Sequence, residues 1–138
     1  MKKYLFILPI LLTLGCESLF NSSLDNFEVK TLETVPNNEF TSDLLYKASP
    51  GENFHFSSLK EVKYLLLSLQ TKGVSLEAAW YREGSPSCGM LAVVVPTTLV
   101  VQLTERNDAD KLPEAFDYVE KNEPILICPT HVKKLIPK

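Results

Sequence analysis

The chain is poor in the residues most active sites are built from. It has two histidines, His55 and His131, and three cysteines, Cys16, Cys88 and Cys128. No Cys-x-x-Cys pair lowers a thiol pKa for redox work, and no paired cysteine motif marks a zinc site. Glycine occurs five times, never in a phosphate-cradling loop. The nucleophile elbow Gly-x-Ser-x-Gly and the metalloprotease helix His-Glu-x-x-His are absent as well. No apolar run reaches the roughly 20 residues that cross a bilayer as a helix. Basic residues number 14 against 17 acidic ones, for a net charge of −3, so nothing suggests a nucleic-acid binder. These absences point away from an enzyme and toward a chain whose role lies in location and contact.

What is present begins at the N-terminus. Lys2 and Lys3 precede an uncharged apolar run over 4–14, interrupted by Pro9, and Gly15-Cys16 follows. The run is too short to span a membrane and has the layout of a cleaved export signal. Its end, Leu12-Thr13-Leu14-Gly15-Cys16, resembles the lipobox of bacterial lipoproteins, with Thr13 standing where that family prefers Leu. The resemblance covers only the first 16 residues. It implies cleavage before Cys16 and a diacylglycerol and an N-acyl (palmitate-type) chain on Cys16; no other cofactor is expected. It also implies a membrane partner through the lipid and residence in the bacterial cell envelope. Glu17 is not the Asp that disfavours outer-membrane delivery in enteric members, which tips the expectation toward the outer membrane. The competing reading is an ordinary secretory signal, with Thr13 and Gly15 as the small residues before the cut. Cysteine parity favours lipidation, because Cys88 and Cys128 can pair and leave Cys16 to the lipid.

The expected organisation is a signal over 1–15, a lipidated Cys16 with a polar tether over 16–25, and a single domain over 26–138. Removing 1–15 removes Lys2 and Lys3 and takes the net charge from −3 to −5. Within the domain, residues 27–31 alternate as a strand, and 41–47 suggest a short helical turn with Leu44 and Leu45 inward. The clearest element is a helix over 59–71. Ser58 and Glu61 form a capping box, Leu59, Val62, Leu66 and Leu69 share one face widened by Leu65, and Gly73 suits a left-handed cap. Residues 74–81 read as a strand. The apolar runs 90–95 and 99–103, separated by Pro96-Thr97-Thr98, predict a central hairpin covered on both faces. A second helix over 113–121 with Leu112, Phe116 and Val119 inward, a last strand over 125–128 and a frayed tail over 133–138 complete the pattern. The fold class expected is α+β: a mainly antiparallel sheet with two main helices packed on one face.

Three groups are candidates for function. An exported domain sits in an oxidising compartment, where Cys88 and Cys128 are expected to form a disulfide. Closing that loop of about 40 residues is worth roughly 4 kcal/mol. Two free buried thiols are the alternative. A sharper reading makes Cys88, Met90, Cys128 and His131 a soft-ligand site suited to copper(I). Against it, Met90 opens an apolar strand and His131 lies in the tail. Trp80-Tyr81-Arg82 combines the residue types enriched at protein contacts. The alternative there is a buried Trp80 with the other two at its rim. His55, between Phe54 and Phe56, is expected to face outward on a strand. The function expected is that of an anchored envelope lipoprotein offering a small domain to a protein partner, with a small-ligand or copper-binding module as the alternative.

Overall fold

A computed structural model describes residues 26–36, 38–40, 43–84, 95–120, 125–126 and 130–138. It contains six strands: β1 (Phe27–Thr34), β2 (Leu45–Ala48), β3 (Leu76–Arg82), β4 (Thr98–Leu103), β5 (Asp117–Tyr118) and β6 (Thr130–Pro137). One α-helix, α1 (Leu59–Thr71), and a six-residue 3-10 helix at Arg106–Lys111 accompany them. The strands form a single sheet in the order β1-β6-β3-β4-β2-β5, and every pairing is antiparallel.

The helix forms where its sequence says. The Glu61 amide donates to Ser58 Oγ at 3.2 Å. The return arm of the box shifts by one residue: Glu61 Oε2 accepts from the Ser57 amide at 2.7 Å. Gly73, at φ 96°, ends the helix. The Gly73 amide donates to the Gln70 carbonyl and the Val74 amide to that of Leu69, which together satisfy carbonyls the last turn leaves open. Val62, Leu66 and Leu69 are fully buried against the sheet, each contributing about 1.5–3 kcal/mol of hydrophobic stabilisation.

Sheet alternation divides the interior into two clusters. The helix-side cluster includes Phe27, Ala79, Tyr81, Leu99, Val101 and Leu135 with the buried face of α1. The opposite face carries Leu45, Ala78, Trp80, Val100 and Val132, joined by Val35 and Val119. In β3 the alternation is broken between Leu76 and Ala78, where the register against β4 shifts. Glu77 is the extra residue. This bulge lets Leu76 and Ala79, three apart, share the helix-side face.

The expected α+β class is overturned. The molecule is mainly a β-sheet with one substantial helix among the described residues. Over 113–120 the predicted helix of 113–121 is replaced by a turn and the short strand β5, and residue 121 lies outside the described residues. Phe116 and Val119 both point inward, as expected, but into different clusters. A spacing of three unites residues on a helix and separates them on a strand. The helical turn over 41–47 is likewise corrected, since β2 begins at Leu45. Leu44 packs on the helix side and Leu45 on the other.

The predicted hairpin of 90–95 with 99–103 is not the pairing of β4, whose two edges are taken by β3 and β2. Residues 90–94 lie outside the described part. Central position is nevertheless β4's: Leu99, Val100 and Val101 are fully buried. The tail is the largest correction. It is no frayed end but β6, inserted between β1 and β3, with Val132 and Leu135 fully buried on opposite faces. Of the predicted strand over 125–128, Ile125 and Leu126 form a bend that packs on the second cluster, and 127–128 lie outside the described residues.

Candidate functional site

Trp80, Tyr81 and Arg82 close β3, one of the two central strands, so their side chains alternate between faces. All three are buried, at 1%, 4% and 5% exposure. The trio is therefore enclosed rather than presented to solvent as a contact surface. Trp80 organises the face opposite the helix. Its Nε1 donates to Glu39 Oε1 at 3.1 Å, and Phe40 lies against it with ring centroids 4.8 Å apart. Lys134, its cross-strand partner on β6, places Nζ 5.4 Å from the indole centroid and pairs with the same Glu39 oxygen.

Lys134 also stands directly opposite Lys30 on β1, a like-charge pairing that is unfavourable by itself. Glu39 offsets it. Burial alone would raise the Glu39 pKa, but the hydrogen bonds from Lys134 and Trp80 and the charges of Lys134 and Lys30 outweigh burial and hold it below the ordinary range. The group is thus a neutralised, hydrogen-bonded clamp. It fastens the segment after β1 to the sheet.

On the helix side, Tyr81 packs its ring edge-on to Phe56 at 6.1 Å. Among the described residues its buried hydroxyl has no hydrogen-bond partner. Burial, with the charges of Glu83 and Glu61, pushes its pKa up, which keeps the phenol protonated and unsuited to act as a base near neutral pH. Arg82 donates from Nη1 to the Glu83 carbonyl.

Of the proposed soft-metal ligands, Cys88, Met90 and Cys128 lie outside the described residues, as does Cys16. His131 is exposed at the start of β6 with φ 55°, a left-handed conformation in which His is more often found than most residues. Among the described residues no three His, Cys, Asp or Glu side chains are grouped to hold a metal ion. His55 is exposed, as expected, and its Nε2 donates to the Glu52 carbonyl at 3.0 Å.

A cleft that no sequence motif marks lies at the β5 end of the sheet. Its volume is about 470 Å³, and it opens to solvent between two loops. One wall is Ser49, Gly51, Glu52, Asn53 and Phe54, and the other is Pro113, Glu114 and Ala115. The first loop is closed by a tight bridge in which the Gly51 amide donates to the Phe54 carbonyl at 2.7 Å. Phe54 is held edge-on by Phe56 and Phe116, at 5.7 and 5.6 Å. The cleft is thus built on a braced aromatic cluster.

No protein-family model, curated protein or solved structure matches this chain. Its function must accordingly be argued from its own residues. Among the described residues, no helix is long and apolar enough to cross a membrane. Sequence reasoning missed Glu39 and Lys134 because they are 95 positions apart and meet only through the sheet. It missed the cleft because its walls come from loops on either side of β3 and β4.

Proposed function

We propose that the chain is a bacterial envelope lipoprotein, anchored by diacylglycerol and an N-acyl chain on Cys16, that presents its β-sheet domain to an envelope protein. The observation that carries this reading is the N-terminal sequence: Lys2-Lys3, an uncharged run over 4–14, and Gly15-Cys16. A single acyl chain binds a membrane only marginally, whereas two or more hold it stably. The domain therefore needs no apolar membrane-binding face of its own. Cys16 lies eleven positions before Phe27, the first residue of β1, a span of at most about 40 Å when fully extended. The anchor accordingly keeps the domain close to the membrane, with β1 as the strand nearest the tether in sequence. The outer membrane is the membrane favoured by Glu17.

The test is metabolic labelling with palmitate in a bacterial host, together with fractionation of the wild-type chain and Cys16→Ser. Label and membrane partition in the wild type, both lost in Cys16→Ser, are the expected outcome. Unlabelled protein, or partition unchanged by the substitution, would overturn the anchor. Cross-linking in intact envelopes tests the contact role, and recovery of uncross-linked chain alone counts against it.

A further inference from the structure

We propose that the cleft between the Ser49–Phe54 loop and Pro113-Glu114-Ala115 receives a basic side chain, Lys or Arg, from a protein partner. The proposal deepens the anchored-lipoprotein reading and rests on it for the direction of approach. Strand β1 follows the tether and forms one edge of the sheet, while β5 forms the other. Five inter-strand steps separate them, about 24 Å at ordinary strand spacing. The cleft lies at the β5 edge, the side that an anchor at β1 leaves open to a partner.

The chemistry of the cleft selects the occupant. Glu52 and Glu114 line opposite walls, and among the described residues neither has an ion-pair or side-chain hydrogen-bond partner. Phe54, Pro113 and Ala115 supply apolar wall between them. A Lys or Arg side chain matches both parts, laying its methylene stem on apolar surface while its charged head reaches carboxylate. Next along the chain, Tyr118 is the large hydrophobic side chain left exposed among the described residues, at 44%. It stacks edge-on with Tyr46 at 5.5 Å. An exposed aromatic three residues along the chain from an acidic, apolar-walled cleft gives this edge the mixed character of a contact surface. Addition of a partner strand is disfavoured, because β5 is only two residues long and offers little edge to pair with.

The test uses the full-length chain, isotopically labelled in detergent micelles, and two capped tripeptides, Ala-Arg-Ala and its uncharged isostere Ala-citrulline-Ala. Amide shifts should concentrate at 49–54 and 114–115 and saturate with the Arg peptide. The citrulline peptide should give none. Binding should weaken about fivefold in the double variant Glu52→Gln/Glu114→Gln, the scale of two exposed ion pairs. It should weaken likewise at about 0.5 M salt, where screening acts within roughly 4 Å. An unchanged spectrum elsewhere in the double variant shows that it folds. Shifts that are scattered, equal with citrulline or indifferent to the double substitution would overturn the proposal. Palmitate labelling separates the two readings: labelled protein that ignores the Arg peptide sinks the cleft alone, and unlabelled protein that binds it sinks the anchor alone.

Discussion

Among the described residues, fifteen buried ones make up the helix-side cluster and seven make up the cluster on the other face. The larger cluster is held by apolar packing beneath a capped helix, and it encloses the Tyr81 hydroxyl, which has no partner among the described residues. The smaller cluster is covered by irregular segments. It depends on a polar clamp in which one Glu39 oxygen serves both the Trp80 indole and Lys134. Where a regular element covers a sheet, shape complementarity suffices. Where loops cover it, hydrogen bonds and charge are needed to hold the cover in register.

The strongest test of this contrast is Leu66→Ala, which opens a cavity under α1. It should cost about 2–5 kcal/mol in denaturant unfolding, and a loss below about 1 kcal/mol would show that the helix is not the main cover. On the other face, Glu39→Gln keeps an acceptor for Trp80 but leaves Lys134 and Lys30 facing each other. A loss of about 1.5 kcal/mol is expected, with the helix-side packing intact by hydrogen exchange.

Acid loads a carboxylate on each face. The folded Glu39 pKa lies below the ordinary 4.5, so its stabilisation is complete above that value and is lost as pH falls through the folded value. On the helix side, Asp108 accepts from the Ser75 amide at 2.9 Å and pairs with Lys111, which also donates to the Gly73 carbonyl. The Ser75 hydrogen bond, and then Lys111, hold its pKa below 3.8 against burial. Its contribution is likewise complete above the ordinary value and lost as pH falls through the folded one. Stability measured against pH should fall less steeply below pH 4.5 in Glu39→Gln, and less steeply below pH 3.8 in Asp108→Asn, than in the wild type. Identical acid profiles for both variants and the wild type would dissolve the distinction.

Tyr81→Phe should stabilise the protein by about 1 kcal/mol, because it removes a buried hydroxyl without a partner. Destabilisation would mean that the hydroxyl is satisfied in solution. Tyr118→Ser, at the exposed edge, should change stability by less than about 0.5 kcal/mol. A larger loss would make Tyr118 part of the core rather than part of a contact surface.

Legibility in the sequence followed how local the determining interaction was. The helix over 59–71 was readable from its start to its end because its cap, its apolar stripe and Gly73 are all short-range features. The strand at β1 was readable from alternation, though it runs three residues further than predicted, to Thr34. The region 113–121 failed because Phe116 and Val119 fit a helical stripe as well as the two faces of a strand. The tail failed for a related reason. Val132 and Leu135 are also three apart, and Lys133-Lys134 between them looks solvated until Thr31 and Glu39 are seen to receive the two ammonium groups. The site residues fared similarly. Trp80 was visible as unusual, but the residues that bury it are set by topology.

The sequence by itself determined the helix and its caps and the apolar stretches that had to be buried. It also supplies the N-terminal pattern on which the proposed anchor rests. Tertiary structure decided that the chain's last residues lie between β1 and β3, that the sheet buries apolar residues on both its faces, and that Glu52 and Glu114 line one cleft. These outcomes depend on pairings between residues far apart in the chain. An antiparallel ladder can accept many partners of similar pattern, and only the competition among all strands for two faces and two edges selects one arrangement.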